Sequence, residues 1–280
     1  MAKKTQKETD IIFYIHRFNP DVDSKPYTQK YTIRVEPGMT VLDGLHLIKE
    51  TQDATLSYRF SCRMGVCGSC GMLLNGRPSL ACNTQILDIT MKNLTVAPLP
   101  NFNIVKDLVP ELTPLFEKHI SIHPYVIQNK TDEMLDPTGE FYQSPEELTK
   151  YLQFSYCIKC GLCMAACPTL ATDSEYLGPQ PMLQSYRYSI DTRDDGFDKR
   201  KKVVGNTHGV FRCHYAGECS NVCPKGVDPA RAIQLMKREL VLDYLKIKKH
   251  RSTSFIMGKP EGVKRRPEIP KAPPFTVEQK

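Results

Sequence analysis

The stretch CIKCGLCMAACP, residues 157–168, contains four cysteines in the spacing C-x2-C-x2-C-x3-C, with a proline directly after the last one. This spacing is typical of ligands to iron–sulfur clusters, and in chains with two such runs the fourth cysteine of a run binds the other cluster. The stretch therefore predicts a domain that folds around two clusters, provided that the chain contains a second run.

A second run, CHYAGECSNVCPKG at residues 213–226, lacks its second cysteine because Ala216 stands at that position. The rule of the exchanged fourth cysteine assigns four ligands to a 4Fe-4S cluster: Cys157, Cys160, Cys163 and Cys223. Three ligands remain for the other site: Cys167, Cys213 and Cys219. Three thiolates support a cluster with one iron fewer, so the sequence predicts a 3Fe-4S centre whose missing ligand corresponds to Ala216.

The remaining four cysteines predict a third cluster near the N-terminus: Cys62, Cys67, Cys70 and Cys82. The first three have the C-x4-C-x2-C spacing of plant-type 2Fe-2S ligands, and Cys82 lies across a predicted hairpin. Three glycines are expected to let this loop wrap tightly and point N–H groups at sulfur: Gly65, Gly68 and Gly71. A structural zinc site is the alternative, but such sites favour paired C-x2-C elements. The three clusters together use all eleven cysteines.

The composition is that of an ordinary chain of one to three domains, since 40% of the 280 residues are hydrophobic and 25% are charged. The odd number of cysteines, and the polar opening MAKKTQKETD, argue against a secreted disulfide framework. No apolar segment approaches the roughly 18 to 20 residues that cross a bilayer. We therefore expect a reducing compartment and no membrane span in this chain.

The net charge of +7 is located at the C-terminal end. Residues 246–280 contain ten Lys or Arg and three Glu, so residues 1–245 sum to zero. The same segment holds five of the 21 prolines, which predicts an extended, poorly packed tail. Such a tail is either solvated or drawn to a membrane surface or a membrane-bound partner. The rest of the chain has no basic excess, which argues against nucleic-acid binding.

The first hundred residues predict a small mixed sheet with one helix. Residues 11–18 and 31–35 are β-branched and aromatic runs typical of strands. Thr40 is placed to cap a helix over residues 41–50. Asn75-Gly76 between apolar flanks predicts a hairpin.

The rest of the chain predicts a linker and a helical domain. Residues 101–143 are rich in proline and polar residues and are expected to form the linker. Ser144 and Glu147 form a capping box for a helix toward Tyr156, and a last helix is expected after Pro229. The predicted domains are 10–100, with the 2Fe-2S cluster, and 144–245, with the other two clusters, followed by the tail 246–280.

Five stretches carry a resemblance to a known family: SCRMGVCGSC with LAC at 80–82, PLPNFNIVKDLVPELT, CIKCGLCMAACPT, YLGPQPMLQSYRYSIDTRDD and CHYAGECSNVCPKGVDPARAI. Over about residues 10–245 the chain resembles the iron–sulfur subunit of the succinate dehydrogenase and fumarate reductase family, also called complex II. The resemblance implies an α+β fold, with an N-terminal β-grasp 2Fe-2S ferredoxin-like domain followed by an α-helical two-cluster ferredoxin domain.

The resemblance also implies a function and partners. It implies the electron-transfer subunit of a membrane-associated succinate dehydrogenase, with a flavoprotein partner that holds FAD, membrane anchor subunits with or without a cytochrome b haem, and quinone at the anchor. The order implied is 2Fe-2S nearest the flavin, then 4Fe-4S, then 3Fe-4S beside quinone. The sequence has no G-x-G-x-x-G, which assigns flavin chemistry to the partner. The implied location is peripheral, on the cytoplasmic face of a prokaryotic cell membrane.

Four residues are implied on the quinone side: Pro168, Thr169, His214 and Lys237. Each also has a structural explanation, since Thr169 could cap a helix, His214 could bond a carbonyl and Lys237 could be a solvated charge. Many relatives have a tryptophan a few residues beyond the position of Cys167, whereas this chain has PTLAT there and no tryptophan at all. This difference predicts rearranged quinone contacts.

The direction of the reaction is left open by the sequence. CIKCGLCMAACP is closer to fumarate reductases, whereas His214 favours succinate dehydrogenases. The alternatives are therefore a quinol:fumarate reductase subunit and a soluble thiol-linked fumarate reductase module without quinone. The second of these would be expected to carry further cysteine-rich repeats, and none follows Cys223.

Overall fold

A computed structural model describes residues 8–129, 139–250, 252–254 and 256–258. Its N-terminal part is a five-stranded sheet in the spatial order β2-β1-β5-β3-β4. The strands are β1 (Thr9–Arg17), β2 (Tyr27–Val35), β3 (Gly71–Leu74), β4 (Arg77–Leu80) and β5 (Asn93–Ala97). Strand β1 pairs antiparallel with β2 and parallel with β5. Alternate residues of β1 are buried, so one face of the sheet supplies the core.

The local signals in this domain are confirmed. Helix α1 (Val41–Thr51) begins with a capping box in which Thr40 and Asp43 bond each other's backbone N–H. Asn75 and Gly76 connect β3 to β4, and both have positive φ (47° and 80°), as a two-residue type I′ turn requires. A short helix α2 (Ile86–Ile89) precedes β5.

The region predicted to be a linker is structured where it is described. It contains the small hairpin β6 (Ile104–Lys106) and β7 (Val109–Pro110), then helix α3 (Thr113–Ser121). Asp107, only 1% exposed, accepts a hydrogen bond from the Arg17 side chain at 3.0 Å. Its second oxygen accepts the Ser57 N–H at 2.9 Å. This carboxylate therefore fixes the region to the N-terminal sheet, and residues 130–138 lie outside the described residues.

The same region is also fixed to the helical domain, through Asn101. Its side-chain amide donates to the carbonyls of Met164, Ala165 and Cys167 at 2.9–3.1 Å. The Met164 and Ala165 carbonyls lie at the end of the short helix Leu162–Ala165, so Asn101 caps that end from another segment, and it also bonds the carbonyl of Cys167 at the start of the next helix. A region that bonds to both domains is a bridge rather than a spacer.

The second domain is built from eight helices among the described residues. They are α4 (Pro145–Thr149), α5 (Leu152–Ser155), α6 (Leu162–Ala165), α7 (Pro168–Thr172), α8 (Pro179–Ser189), α9 (Phe197–Val204), α10 (Glu218–Asn221) and α11 (Pro229–Tyr244). The Ser144–Glu147 capping box is present. The helix it opens ends at Thr149 rather than near Tyr156, because the chain turns to bury Tyr151 and Phe154.

The start of the expected tail is packed against this domain, which corrects the prediction for its described part. His250 stacks on Phe197 with ring centroids 3.7 Å apart, and Lys248 pairs with the buried Glu239 at 2.6 Å. Strand β9 (Ile256–Gly258) pairs with β8 (Gly139–Phe141). The prediction of a poorly packed tail came from the average composition of 35 residues, which does not reveal contacts made by individual residues at its start. Residues 259–280 lie outside the described residues.

Candidate iron–sulfur centres

The loop after α1 brings Cys62, Cys67, Cys70 and Cys82 together. Seven backbone N–H groups point at these four sulfurs, with nitrogen-to-sulfur distances of 3.2–3.5 Å: those of Cys62, Met64, Gly65, Val66, Cys67, Ser69 and Cys82. Such a nest of N–H dipoles stabilises negative charge on sulfur. Cys82 lies in a single 3-10 turn directly after β4, rather than within the hairpin strand.

The three glycines of this loop have two different roles. Gly65 and Gly68 have φ of 67° and 76°, a left-handed conformation that glycine adopts without strain. Gly71 lies in β3 without positive φ; a Cβ there would lie 3.2 Å from the Leu162 side chain. A Cβ at Gly68 would lie 2.7 Å from the Cβ of Cys160 in the helical domain. Gly68 and Gly71 therefore permit close approach between the domains, which spacing alone did not indicate.

The thiols of this loop differ in their acidity. A hydrogen bond from the backbone N–H of Cys62 has the largest effect on the pKa of the exposed Cys67, and hydrogen bonds from Ser69 come next. Together they lower this pKa to about 6. Burial raises the pKa of Cys70 to about 12. Because cysteines bind metal as thiolates, metal binding would release the protons of those thiols that are still protonated, including that of Cys70.

Four cysteines line a small cavity in the helical domain, here called the first cavity: Cys157, Cys160, Cys163 and Cys223. Three come from one run and the fourth from the other, as the exchange rule predicts. Burial raises the pKa of Cys160 to about 11, so these sulfurs lie in a water-poor environment. Gln180 also lines this cavity, and no sequence motif singled it out.

A neighbouring second cavity is lined by the other three cysteines: Cys167, Cys213 and Cys219. Ala216, Pro168 and Thr169 line it as well. Tyr176 lies in its wall, fully buried, and its burial strongly raises the pKa of its hydroxyl. Tyr176 begins the quoted stretch YLGPQPMLQSYRYSIDTRDD, but nothing in the sequence indicated that it would lie in a cluster site.

The two cysteine runs share one backbone conformation. Lys159 and Tyr215 have φ of 56° and 60°, and the glycines that follow Cys160 and Ala216 have φ of 82° and 80°. Each glycine begins a helix of four residues, α6 or α10. Ala216 therefore occupies the position of Cys160 in a repeat of the same loop, and only the side chain differs.

The cysteine groups fit clusters better than a single zinc ion. None of the eleven cysteines forms a disulfide. Within the described residues, no three His, Cys, Asp or Glu side chains lie close enough to hold one metal ion. Zinc needs its sulfurs about 2.3 Å from one centre, whereas cysteines arranged around a cavity can each reach a different iron.

The implied quinone-side residues lie around the second cavity. Pro168 and Thr169 line it and follow Cys167 directly in the chain. The Lys237 ammonium donates to the carbonyl of Cys213 at 3.1 Å. His214 is exposed and follows Cys213 directly. The structure thus brings Thr169 and Lys237 next to cysteines of the second cavity and leaves His214 exposed.

A search of the described residues for a helix that is long and apolar enough to cross a membrane finds none.

Three cysteine groups on a small mixed sheet and a helical domain define a multi-cluster iron–sulfur protein. Comparison with protein families agrees: residues 12–117 match a 2Fe-2S iron-sulfur cluster binding domain, and residues 153–227 match a 4Fe-4S dicluster domain. The α+β fold and the domain order predicted from the sequence are confirmed. The 2Fe-2S and 4Fe-4S cofactors follow from the same matches.

Curated relatives identify the family. The fumarate reductase iron-sulfur subunit of Haemophilus influenzae is 42% identical over 237 residues, which covers 82% of this chain and 92% of the relative. That of Mycobacterium tuberculosis is 43% identical over 227 residues, covering 81% and 91%. The mitochondrial succinate dehydrogenase [ubiquinone] iron-sulfur subunit of Candida glabrata is 41% identical over 234 residues, covering 82% and 91%.

A solved structure has the same fold. The Mycobacterium smegmatis Sdh1 complex in the apo form contains a chain with a TM-score of 0.75 and 27% identity, covering 85% of this chain and 98% of that one. The chain belongs to the family of iron–sulfur subunits of fumarate reductase and succinate dehydrogenase. It is an oxidoreductase subunit for electron transport.

Proposed function

We propose that this chain relays electrons between the FAD of a flavoprotein, which interconverts succinate and fumarate, and quinone at a membrane anchor. The observation that carries the proposal is the unbroken succession of the three cysteine groups. Gly68, in the 2Fe-2S loop, touches Cys160 of the first cavity. Helix α6 then carries Cys163 of that cavity and ends two residues before Cys167 of the second cavity.

The ligand sets are part of this proposal. The loop cysteines, Cys62, Cys67, Cys70 and Cys82, hold the 2Fe-2S cluster. Those of the first cavity, Cys157, Cys160, Cys163 and Cys223, hold the 4Fe-4S cluster. Those of the second cavity, Cys167, Cys213 and Cys219, hold a 3Fe-4S cluster. The bound clusters supply one-electron transfer. The chain's own residues orient the sulfurs, exclude water and fix the order of the three sites.

Exposed apolar side chains at both ends of this succession support two partners. Near the 2Fe-2S loop, Phe60, Met64 and Val66 are 43%, 72% and 52% exposed. Beside the second cavity, Phe211 and Tyr215 are 56% and 59% exposed. We assign the first group to the flavoprotein and the second to the anchor, because exposed apolar patches mark interaction surfaces.

The proposed direction is succinate oxidation, in a complex attached to the cytoplasmic face of a prokaryotic membrane through anchor subunits with cytochrome b haem. Fumarate reduction is the second candidate, which the fumarate reductase relatives favour. Co-purification from membranes tests the assembly: a flavoprotein and a haem-bearing anchor are expected. A soluble heterodimer without an anchor would contradict the quinone function and favour a thiol-linked module.

The quinone side can be tested at His214 and Lys237. His214→Ala and Lys237→Ala are each expected to lower quinone-linked turnover by about tenfold, the effect of losing one hydrogen bond to a charged group. Succinate oxidation by a dye that accepts electrons upstream should be unchanged. Lys202→Ala, at an exposed lysine of α9, is the control and should affect neither assay. Equal loss in both assays would indicate misfolding or cluster loss instead.

The tail can be tested by a deletion that begins after the packed segment. Residues 259–280 carry six Lys or Arg and three Glu. Their removal is expected to weaken membrane attachment at low salt, because basic residues are attracted to anionic headgroups, and to have little effect at high salt. Sedimentation with membranes at both salt concentrations, with cluster spectra as the control, measures this. Attachment that does not change at low salt would contradict the role.

A further inference from the structure

The end of helix α11 exposes a group of apolar side chains, here called the helix-end patch: Val241, Tyr244, Leu245 and Ile247. Their exposed fractions are 45%, 85%, 56% and 69%. The first three lie three or four residues apart and therefore share one face of the helix. Apolar side chains that are exposed together mark an interaction surface, whereas scattered single ones do not.

The patch is continuous with the surface beside the second cavity. Lys237, one turn before Val241, donates to the carbonyl of Cys213 at 3.1 Å. Val241 lies on the same face of the helix, about 6 Å further along its axis. The helix also packs against the turn Val210–Arg212, which carries the exposed Phe211. The patch therefore extends the face that we assign to the membrane anchor.

The charges around the patch are positive. Residues 244–250 contain three lysines and no Asp or Glu. The two carboxylates of the preceding turns are both paired with lysines: Glu239–Lys248 at 2.6 Å and Asp243–Lys201 at 3.0 Å. Lys246 and Lys249 are exposed beside the apolar side chains. Such a surface matches the boundary of an anionic bilayer, where apolar side chains enter the acyl region and ammonium groups reach phosphate.

Lys246 has a backbone conformation that favours glycine. Its φ is 58°, its N–H bonds to the Asp243 carbonyl at 2.9 Å, and the Ile247 N–H bonds to the Leu242 carbonyl at 3.0 Å. These two bonds form a Schellman motif, in which glycine is usual at this position because a side chain is strained there. A lysine in this strained position, next to exposed apolar side chains, indicates a use for its charge.

We propose that the helix-end patch inserts into the interface of an anionic lipid bilayer, where Lys246 and Lys249 bind headgroup phosphates. This inference rests on the proposed attachment to a membrane anchor, and it adds a direct lipid contact made by this chain. It differs from the attraction expected of residues 259–280, because it needs apolar insertion as well as charge.

The first test is photo-crosslinking in the intact complex within its native membrane. A benzophenone amino acid replaces Tyr244, and in the control it replaces Tyr27, an exposed tyrosine of β2. After illumination, mass spectrometry is expected to find a phospholipid attached to the peptide with residue 244 and none on the peptide with residue 27. A link from residue 244 to an anchor polypeptide instead, or no link to lipid, would overturn the inference.

The second test measures binding of the full chain, with its clusters, to vesicles of phosphatidylcholine with or without phosphatidylglycerol. Lys246→Gly removes the charge and the strain together, so this variant should unfold at no lower temperature than wild type. Its binding to the anionic vesicles should fall about fivefold, the effect of one lysine near an anionic surface, and its binding to neutral vesicles should hardly change. Leu245→Ser should weaken binding to both kinds of vesicle by about tenfold.

Matched variants elsewhere in the chain make the result specific. Lys25→Gly, in the exposed loop between β1 and β2, and Val105→Ser, on β6, should leave vesicle binding unchanged. Unchanged binding of either Lys246→Gly or Leu245→Ser would overturn the inference, and so would an equal loss in the matched variants. If co-purification finds no anchor, the proposed function fails, which is a different result because the vesicle measurement needs only this chain.

Discussion

Replacing Ala216 with cysteine is expected to add about one iron per protein and to abolish the near-isotropic signal of an oxidised 3Fe-4S centre. The loop around Ala216 repeats the loop around Cys160, with φ values of the flanking residues that agree within 4°. A cysteine there would present its thiolate to the second cavity as Cys160 does to the first. In the proposed assignment, the methyl group of alanine, which cannot coordinate metal, keeps the ligand set at three.

The added iron and anionic ligand should lower the potential of this centre and slow electron delivery to quinone, while dye-linked succinate oxidation survives. Iron analysis and electron paramagnetic resonance of the air-oxidised complex measure the change. Ala216→Ser is the control, since it adds a similar volume without a thiolate and should retain the wild-type signal. If wild type lacks that signal while its other two clusters are intact, the assignment of Cys167, Cys213 and Cys219 is wrong.

The largest expected loss of stability is for Arg200→Leu. Arg200 and Asp194 have fully buried side chains, joined by two hydrogen bonds of 2.6 and 3.0 Å. Arg200 also donates to the carbonyls of His123 and Tyr125, and so joins α9 to the segment after α3. Removing one partner of a buried pair leaves an uncompensated charge, which costs about 3–5 kcal/mol.

This cost should appear as loss of the visible cluster absorbance at a clearly lower temperature than in wild type. Lys201→Leu, one residue on, breaks a partly exposed pair with Asp243 and should cost no more than about 1 kcal/mol. Adding Asp194→Asn to Arg200→Leu should recover part of the loss, because the second charge is then gone. If Arg200→Leu and Lys201→Leu lost their absorbance at the same temperature, the buried pair would stabilise the fold no more than the partly exposed pair does.

Sequence reasoning succeeded where the physical cause is local. The Thr40 helix cap and the Asn75-Gly76 turn depend on a few neighbouring residues, and both form as predicted. The cysteine spacings also describe short loops, so they indicated cluster types without knowledge of packing. The exchange of Cys223 between runs was the one long-range prediction, and it came from a rule about paired runs. The ligand assignments themselves remain predictions.

The contacts that sequence reasoning missed are those that packing creates between distant segments. Gln180 meets His119 across 61 residues, and Lys237 meets Cys213 across 24. No spacing rule relates such positions. The predicted linker also makes contacts that its composition could not reveal, since Asn101 and Asp107 each bond to a different domain.

The contact of Gly68 with Cys160 joins two cluster loops backbone to backbone. A side chain at such a junction could rotate, and the gap between the loops would then vary from one molecule to the next. Here no rotamer exists to change, because glycine has none, and a Cβ would lie 2.7 Å from its neighbour. The separation of the two loops is therefore set by their backbones and not by a side-chain rotamer of residue 68, so a change in it requires a shift of the backbone.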